Sequence, residues 1–444
     1  MIRFSRLRAY ALAGLLALII GVPPVDSFGG SATVARADDA RAEILWDEWG
    51  VPHVFARDAE SLFFAFGYAQ MHSHGDKILR LYGVARGRAA EYWGEEYVAS
   101  DRFYRTFGLP QAGIAGYDAQ TPEFRGQLDA FAAGVNASAS EHPDAIADDV
   151  EIVLPVTGAD LLAHMHRIFL TFLTLTGDAT PLIGENWLPA GMTAGSNAWA
   201  IAPSHSESGN AMLMANPHVP WDVDLVLLYE AQLVSPGAGV DAYGATLIGI
   251  PVLTFAFNDT LGWTHTVNTM DGFDLYDLTI VEGGYLFDGE ERAFETEQQT
   301  FNVKQADGSL QEQALQIRRA VQGPVLIVED GRSLALREVS LDQHGALQQW
   351  WDMGRAQNFA EFKAALQRLQ IPIFTVMYAD RDGHILSLFN GRVPIRPNGD
   401  FATWQVPAPG DSSATLWTET HTYDELPRVV DPPSGWVQNS NSQP

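Results

Sequence analysis

The chain has 444 residues, 46% of them hydrophobic, with 23 Phe, 13 Tyr and 12 Trp. This is enough to bury a large core and suits one large or two to three ordinary domains. Its 27 Lys and Arg against 55 Asp and Glu leave a net charge of −28, which repels nucleic acid and anionic lipid and argues against both as partners. The absence of cysteine excludes thiol catalysis, thiolate zinc sites and disulfide staples.

The first 37 residues read as an export signal. Arg3, Arg6 and Arg8 form a basic start and Ala11 to Val22 an apolar run. That run is shorter than the ~20 residues a membrane span needs, and Ala35-Arg36-Ala37 supplies a small-residue cleavage site. The expected location is periplasmic or secreted. Residues 38–177 read as mainly helical after a short hairpin of Ile44-Leu45-Trp46 and Val51 to Val54. Asp58 caps a helix over Ala59 to His72, with Leu62, Phe63, Phe66 and Ala69 at helical spacing, and a second helix runs from Lys77 to Trp93. Thr121-Pro122-Glu123 opens a third, and Asp160 to Leu173 is a fourth. The pairs His72/His74 and His164/His166 sit two apart on helices, hence on different faces, and do not suggest a shared metal.

Residues 178–195 are rich in breakers (Pro181, Gly184, Pro189, Gly191) and read as an exposed linker ending at Gly195-Ser196. From Ser196 the chain turns to strands: Ser196–Pro203, Ala211–Asn216, Leu225–Leu233, Thr246–Phe257, Leu261–Val267, Tyr276–Val281, Phe301–Lys304 and Leu315–Ile327. Asn358 with Glu361 resembles a capping box opening a helix to Leu369. Ile373–Tyr378 and His384–Phe389 pair across Asp380-Arg381-Asp382-Gly383; the remaining ligands of a calcium loop are absent there, so a turn is the reading. The closing segment through Pro444 reads as strands and loops with no capped or closed terminal element.

The chemistry centres on Gly195-Ser196. Cutting that bond would leave a serine whose hydroxyl and free α-amine lie in one residue, a nucleophile with its own base. No G-x-S-x-G elbow, H-E-x-x-H or glycine-rich phosphate loop competes with it. On residues alone, Gly-Ser before a strand is ordinarily a plain turn, and it is the surrounding motifs that decide.

The surrounding motifs carry a resemblance. Ala194-Gly195-Ser196-Asn197-Ala198-Trp199-Ala200-Ile201 is followed by Asn216-Pro217-His218 and by Gly262-Trp263-Thr264-His265-Thr266-Val267-Asn268. Val51-Pro52-His53, Gly67-Tyr68-Ala69-Gln70 and Arg86-Gly87-Arg88 precede them, and Tyr378-Ala379-Asp380 and Asn439-Ser440-Asn441 follow. In this order they resemble the penicillin amidase family of N-terminal-nucleophile hydrolases, which includes penicillin, cephalosporin, aculeacin and acyl-homoserine-lactone acylases.

The resemblance implies an α+β fold, the αββα sandwich, incomplete at the C-terminus. It implies a precursor that excises a linker to leave a heterodimer of two chains, the second being the truncated stretch 196–444. Ser196 would be the nucleophile, its freed amine the base acting through a water. The Val267 backbone N–H and the Asn439 side-chain amide would bind the oxyanion, with Asn441 ranked below Asn439. His218 would hold the Ser196 amine and hydroxyl, or else be a strand-end histidine satisfied by backbone. Val219, Phe255 and Trp350 align with acyl-pocket walls, or are simply core. Asp271, the Phe273 carbonyl and Asp274 match part of a structural calcium site, or form a solvated acidic loop; no organic cofactor is implied. The expected activity is hydrolysis of the amide bond of small N-acyl substrates such as β-lactam antibiotics, acyl-homoserine lactones or acyl peptides. Family precursors continue well past the Asn439 segment, so the rival reading is an inactive truncated relative or precursor fragment that only binds acylated ligands or a partner chain.

Overall fold

The structure, a computed structural model, describes residues 42–176, 195–327 and 331–444. The export signal and all of the linker except Gly195 lie outside the described residues. A hairpin opens the fold: Ala42–Trp46 pairs antiparallel with Pro52–Ala56, which sets the fully buried Ile44 opposite Val54. Asp58 accepts from the Ser61 N–H at 2.9 Å and starts the helix Ala59–Ala85. The helix expected over Ala59 to His72 and the start of that expected from Lys77 to Trp93 are one element, interrupted at His74 with φ −140° and ψ 32°, while Ala89–Trp93 is a separate short helix. Thr121 caps Pro122–Glu141 through the Phe124 N–H, and Gly158–Thr176 follows.

The first two long helices approach at glycines. A β-carbon on Gly134 would lie 1.9 Å from the Phe64 carbonyl oxygen, and one on Gly67 would lie 2.2 Å from that of Phe131. Only hydrogen fits at either position, so these glycines set the spacing of the helical layer.

That layer covers one face of a nine-stranded sheet. Its order is Ala42–Trp46, Pro52–Ala56, Leu228–Ser235, Val240–Leu247, Phe255–Asn258, Leu261–Thr266, Thr375–Asp380, Ile385–Leu388 and Arg428–Val430. Neighbours are antiparallel except Pro52–Ala56 on Leu228–Ser235. Tyr229 fixes the layers together, its ring against Phe66 and its hydroxyl donating to the Ala69 carbonyl at 3.0 Å.

The strand expected over Thr246–Phe257 is two strands, because residues 248–254 leave the sheet. Several of their backbone groups are met by side chains. Gln70 takes the Gly249 N–H at 2.8 Å and donates to the Ile250 carbonyl at 2.9 Å, and the Tyr82 hydroxyl donates to the Gly249 carbonyl at 2.7 Å. His164 Nε2 lies 3.0 Å from the Ile248 carbonyl. The run Leu315–Ile327 also divides, into Leu310–Arg319, paired with Glu295–Lys304, and Val325–Ile327. Helix Ala346–Arg355 was not anticipated; it follows Gly345, which offers no side-chain cap to announce it.

A three-stranded antiparallel sheet, Trp436–Asn439, Gly195–Ile201 and Met212–His218, lies on the other face of the large sheet. Ala198, Ala200 and Val437 pack there against Met377, Ala379 and Ile385. The closing segment is therefore paired rather than open. The fold is α+β, with helices, large sheet and small sheet as three successive layers. The outer face of the small sheet, with Met212, Met214 and Trp436, stays 40–50% exposed.

Candidate active site

Ser196 sits at the second position of its strand, facing the large sheet, and is 5% exposed. Two backbone segments meet it there. The Val267 N–H, just past the end of Leu261–Thr266, points at Ser196 Oγ at 3.4 Å. From the other side, the Ser196 N–H donates to Asn441 Oδ1 at 2.5 Å. The same Asn441 amide donates through Nδ2 to the Val267 carbonyl. Asn441 thus ties the serine to the backbone that carries the nearby N–H donor. Its φ of 62° is a left-handed conformation that asparagine tolerates better than most side chains.

Asn439 stands one step behind. Its Oδ1 accepts from the Thr266 hydroxyl at 2.7 Å and from the Asn441 N–H at 2.9 Å, while its Nδ2 reaches the Ser442 carbonyl at 3.3 Å. The ranking expected for the two asparagines is therefore reversed in contact with the serine. Asn439 lies inside the small sheet opposite Ala198, and the turn after it swings Asn441 over Ser196.

His218 is directly opposite Gly195, with Pro217 opposite Ser196. Its Nε2 is 3.0 Å from Asn216 Nδ2 and 3.3 Å from Asn197 Nδ2. With Nε2 accepting from both amides, the ring hydrogen is placed on Nδ1. A β-carbon on Gly195 would lie 3.7 Å from Nδ1. Among the hydrogen bonds of the described residues none joins His218 to Ser196; in the uncut chain it faces the glycine side of the Gly195-Ser196 bond.

The expected pocket residues divide. Trp350 is buried, stacks on Phe169 with ring centroids 5.8 Å apart, and donates its indole N–H to His265 Nε2 at 2.9 Å, two residues before Val267. Burial lowers His265 to about 4, so this ring is a neutral acceptor for the indole. Val219 and Phe255 are half-buried, Val219 just beyond the strand that bears His218 and Phe255 opening its own strand.

The calcium trio does not fit that ion. Arg396 Nη2 is 2.8 Å from Asp271 Oδ2 and 3.1 Å from Asp274 Oδ2, and the Trp417 indole N–H donates to Asp274 at 2.6 Å. Phe273 has its side chain in the core and its backbone opposite Glu338. No group of three or more His, Asp or Glu side chains able to hold a metal occurs among the described residues. Within each histidine pair the two rings have different neighbours: His72 meets Trp46 and His142 and His74 meets Tyr229, while His164 meets Tyr82 and His166 meets His344.

A buried hydroxyl facing a backbone N–H, with a carboxamide bridging the two segments, is equipment for acyl transfer at a serine. The penicillin amidase family profile matches residues 41–444, and the chain belongs to that family. Acyl-homoserine lactone acylase PvdQ of Pseudomonas fluorescens is 30% identical over 409 residues, covering 82% of this chain and 52% of that protein. Aculeacin-A acylase of Actinoplanes utahensis is 28% identical over 461 residues, covering 91% of this chain and 56% of its own length. A solved thermostable penicillin G acylase from Alcaligenes faecalis is 27% identical with a TM-score of 0.49, over 56% of this chain and 44% of that one. The chain spans about half the length of the curated relatives it matches.

Proposed function

We propose that the chain is the precursor form of an acylase that hydrolyses the amide bond of N-acyl substrates, with Ser196 as nucleophile. The observation that carries this reading is the Ser196 hydroxyl held under the Val267 N–H while Asn441 grips the Ser196 N–H. Maturation uses the same hydroxyl. Ser196 Oγ attacks the Gly195 carbonyl, the C–N bond breaks, and the peptide nitrogen becomes the free Ser196 amine. Water then hydrolyses the Gly195 ester, returning the hydroxyl and leaving a carboxylate on Gly195.

In turnover the freed amine takes the Ser196 proton through a water as Oγ attacks the substrate carbonyl. The Val267 N–H and the Asn441 carboxamide receive the oxyanion, with Asn439 holding Asn441 in place, the amine product departs with the proton, and water releases the acid. His218, opposite Gly195, orients the new terminus. Trp350, Val219 and Phe255 line the acyl side. Aliphatic acyl chains or glutaryl-type side chains, rather than phenylacetyl groups, are the preferred substrate class. Export through the basic and apolar N-terminal segment and assembly as two chains from one precursor complete the reading.

The test is the intact mass and N-terminal sequencing of the purified product, with a panel of acyl-homoserine lactones, glutaryl-cephalosporin and phenylacetyl amides. Two chains, one beginning at Ser196, with amide hydrolysis lost in Ser196→Ala, are expected. A Ser196→Ala protein that still matures on its own overturns the mechanism. The half-exposed outer face of the small sheet favours a second reading, in which this chain binds another polypeptide without turnover. A single uncut chain with no hydrolysis on the panel would select it.

A further inference from the structure

We propose that Arg396 stands in for a divalent cation, so that the segment running on from Val267 is held without a metal ion. The geometry is that of a filled oxygen cage. A single nitrogen, Arg396 Nη2, collects Asp271 Oδ2 at 2.8 Å, both Asp274 carboxylate oxygens at 3.1 Å and the Asp271 backbone carbonyl at 3.2 Å. Two carboxylates and a carbonyl are the hard oxygen donors a calcium ion asks for, at about 2.3–2.6 Å. Here they stand at N–H···O distances, and an ion among them would fall on the guanidinium. Arg396 Nε adds a second bond to Asp274 at 3.1 Å, giving the fork that a planar guanidinium offers and a spherical ion does not.

The surroundings fix the arginine in place. Its guanidinium lies over the Trp404 ring at 5.3 Å, and the Trp417 indole N–H takes Asp274 at 2.6 Å. The side chain of Asp274 is 2% exposed and that of Arg396 is 17% exposed, so solvent screens the pair little. Asn268, one residue beyond Val267, donates to the Asn390 carbonyl at 2.6 Å. Residues 267–274 are therefore fastened to residues 390–396 at both ends, by an amide near the serine and by the arginine further out. The cation at the second fastening is covalently part of the chain.

Thermal unfolding of the full chain, with EDTA and with millimolar calcium, tests this alongside the Arg396→Ser variant. The wild-type melting temperature is expected to be indifferent to both additions. Arg396→Ser leaves two carboxylates facing each other in a vacated space, so its melting temperature falls and calcium restores part of the loss. Terbium in place of calcium, excited through Trp404 and Trp417, should luminesce with the variant and not with the wild type. A wild type stabilised by calcium, or a folded Arg396→Ser that neither luminesces nor responds to calcium, overturns the proposal. Should Arg396→Ser not accumulate folded, refolding with and without calcium decides. A yield recovered by calcium supports the substitution, and an indifferent yield refutes it. None of these readouts depends on Ser196 chemistry.

Discussion

Replacing Asn441 by glycine separates the two asparagines of the site. Its carboxamide makes two hydrogen bonds to backbone groups at the serine, accepting from the Ser196 N–H and donating to the Val267 carbonyl. Their net loss is worth ~1 kcal/mol each, so Asn441→Gly should lower stability by ~2 kcal/mol in urea unfolding. Glycine is the cleaner replacement because it tolerates the φ of 62°, whereas alanine adds ~1 kcal/mol of its own strain. A carboxamide that meets the developing oxyanion contributes ~3 kcal/mol, so appearance of the chain beginning at Ser196 and hydrolysis should both fall ~10²-fold or more. Asn439 supports Asn441 through its Oδ1, so Asn439→Asp keeps both acceptor contacts and should retain most of the rate. The assay is the time course of intact masses and initial rates for both variants. Near-normal rates in Asn441→Gly together with a collapse in Asn439→Asp would falsify the assignment and restore the order expected from the sequence.

Three further outcomes follow from the packing. Gly134→Ala places a methyl carbon on the Phe64 carbonyl and must push two helices apart, so a loss of ~1–3 kcal/mol or more is expected in denaturant unfolding. Gln70→Leu leaves the Gly249 N–H and Ile250 carbonyl unpaired in the interior and should cost ~2–4 kcal/mol, with reduced folded yield as the first sign. Stability should also fall on acidification below pH ~6.5. Burial lowers His164 and His166 to about 3 and His265 to about 4, so these rings stay neutral in the fold while the unfolded chain takes up protons. Asp101, raised by burial to about 6, acts oppositely because it binds a proton on folding. Burial also lowers His72, His74 and His344 and raises Asp271 and Glu338; the lowered histidines are in the majority, so near pH ~5.5 the unfolded chain binds more protons and stability falls as the pH is lowered. Urea midpoints that rise between pH 6.5 and 5 would contradict this balance.

The elements legible in the sequence were those whose causes are local. Asp58, Thr121 and Asn358 each accept from a backbone N–H three residues on, and each marks the helix start expected from it. The Asp380–Gly383 turn joins the hairpin placed there, with Asp380 accepting from the His384 N–H. Helix Ala346–Arg355, with no capping side chain, and the excursion of residues 248–254 were not legible. The partners of that excursion lie some 84–180 residues away in sequence.

The site divides in the same way. Ser196 and Val267 were placed by their motifs, and the structure brings them together. The two asparagines were ranked with Asn439 first, and nothing local in the sequence corrects that order, because in an extended strand residues two apart share a face and both would point to the serine. What separates them is the left-handed turn at Asn441, which follows from the strand ending at Asn439 and not from either residue's type. Arg396 left no signal at all. An acidic pair three residues apart invites a metal ion, and the cation that meets it comes from more than a hundred residues downstream. Charge complementarity at such separation has no periodicity to read. The fold has to bring residues 390–396 onto residues 267–274 before the pair and its partner become one feature.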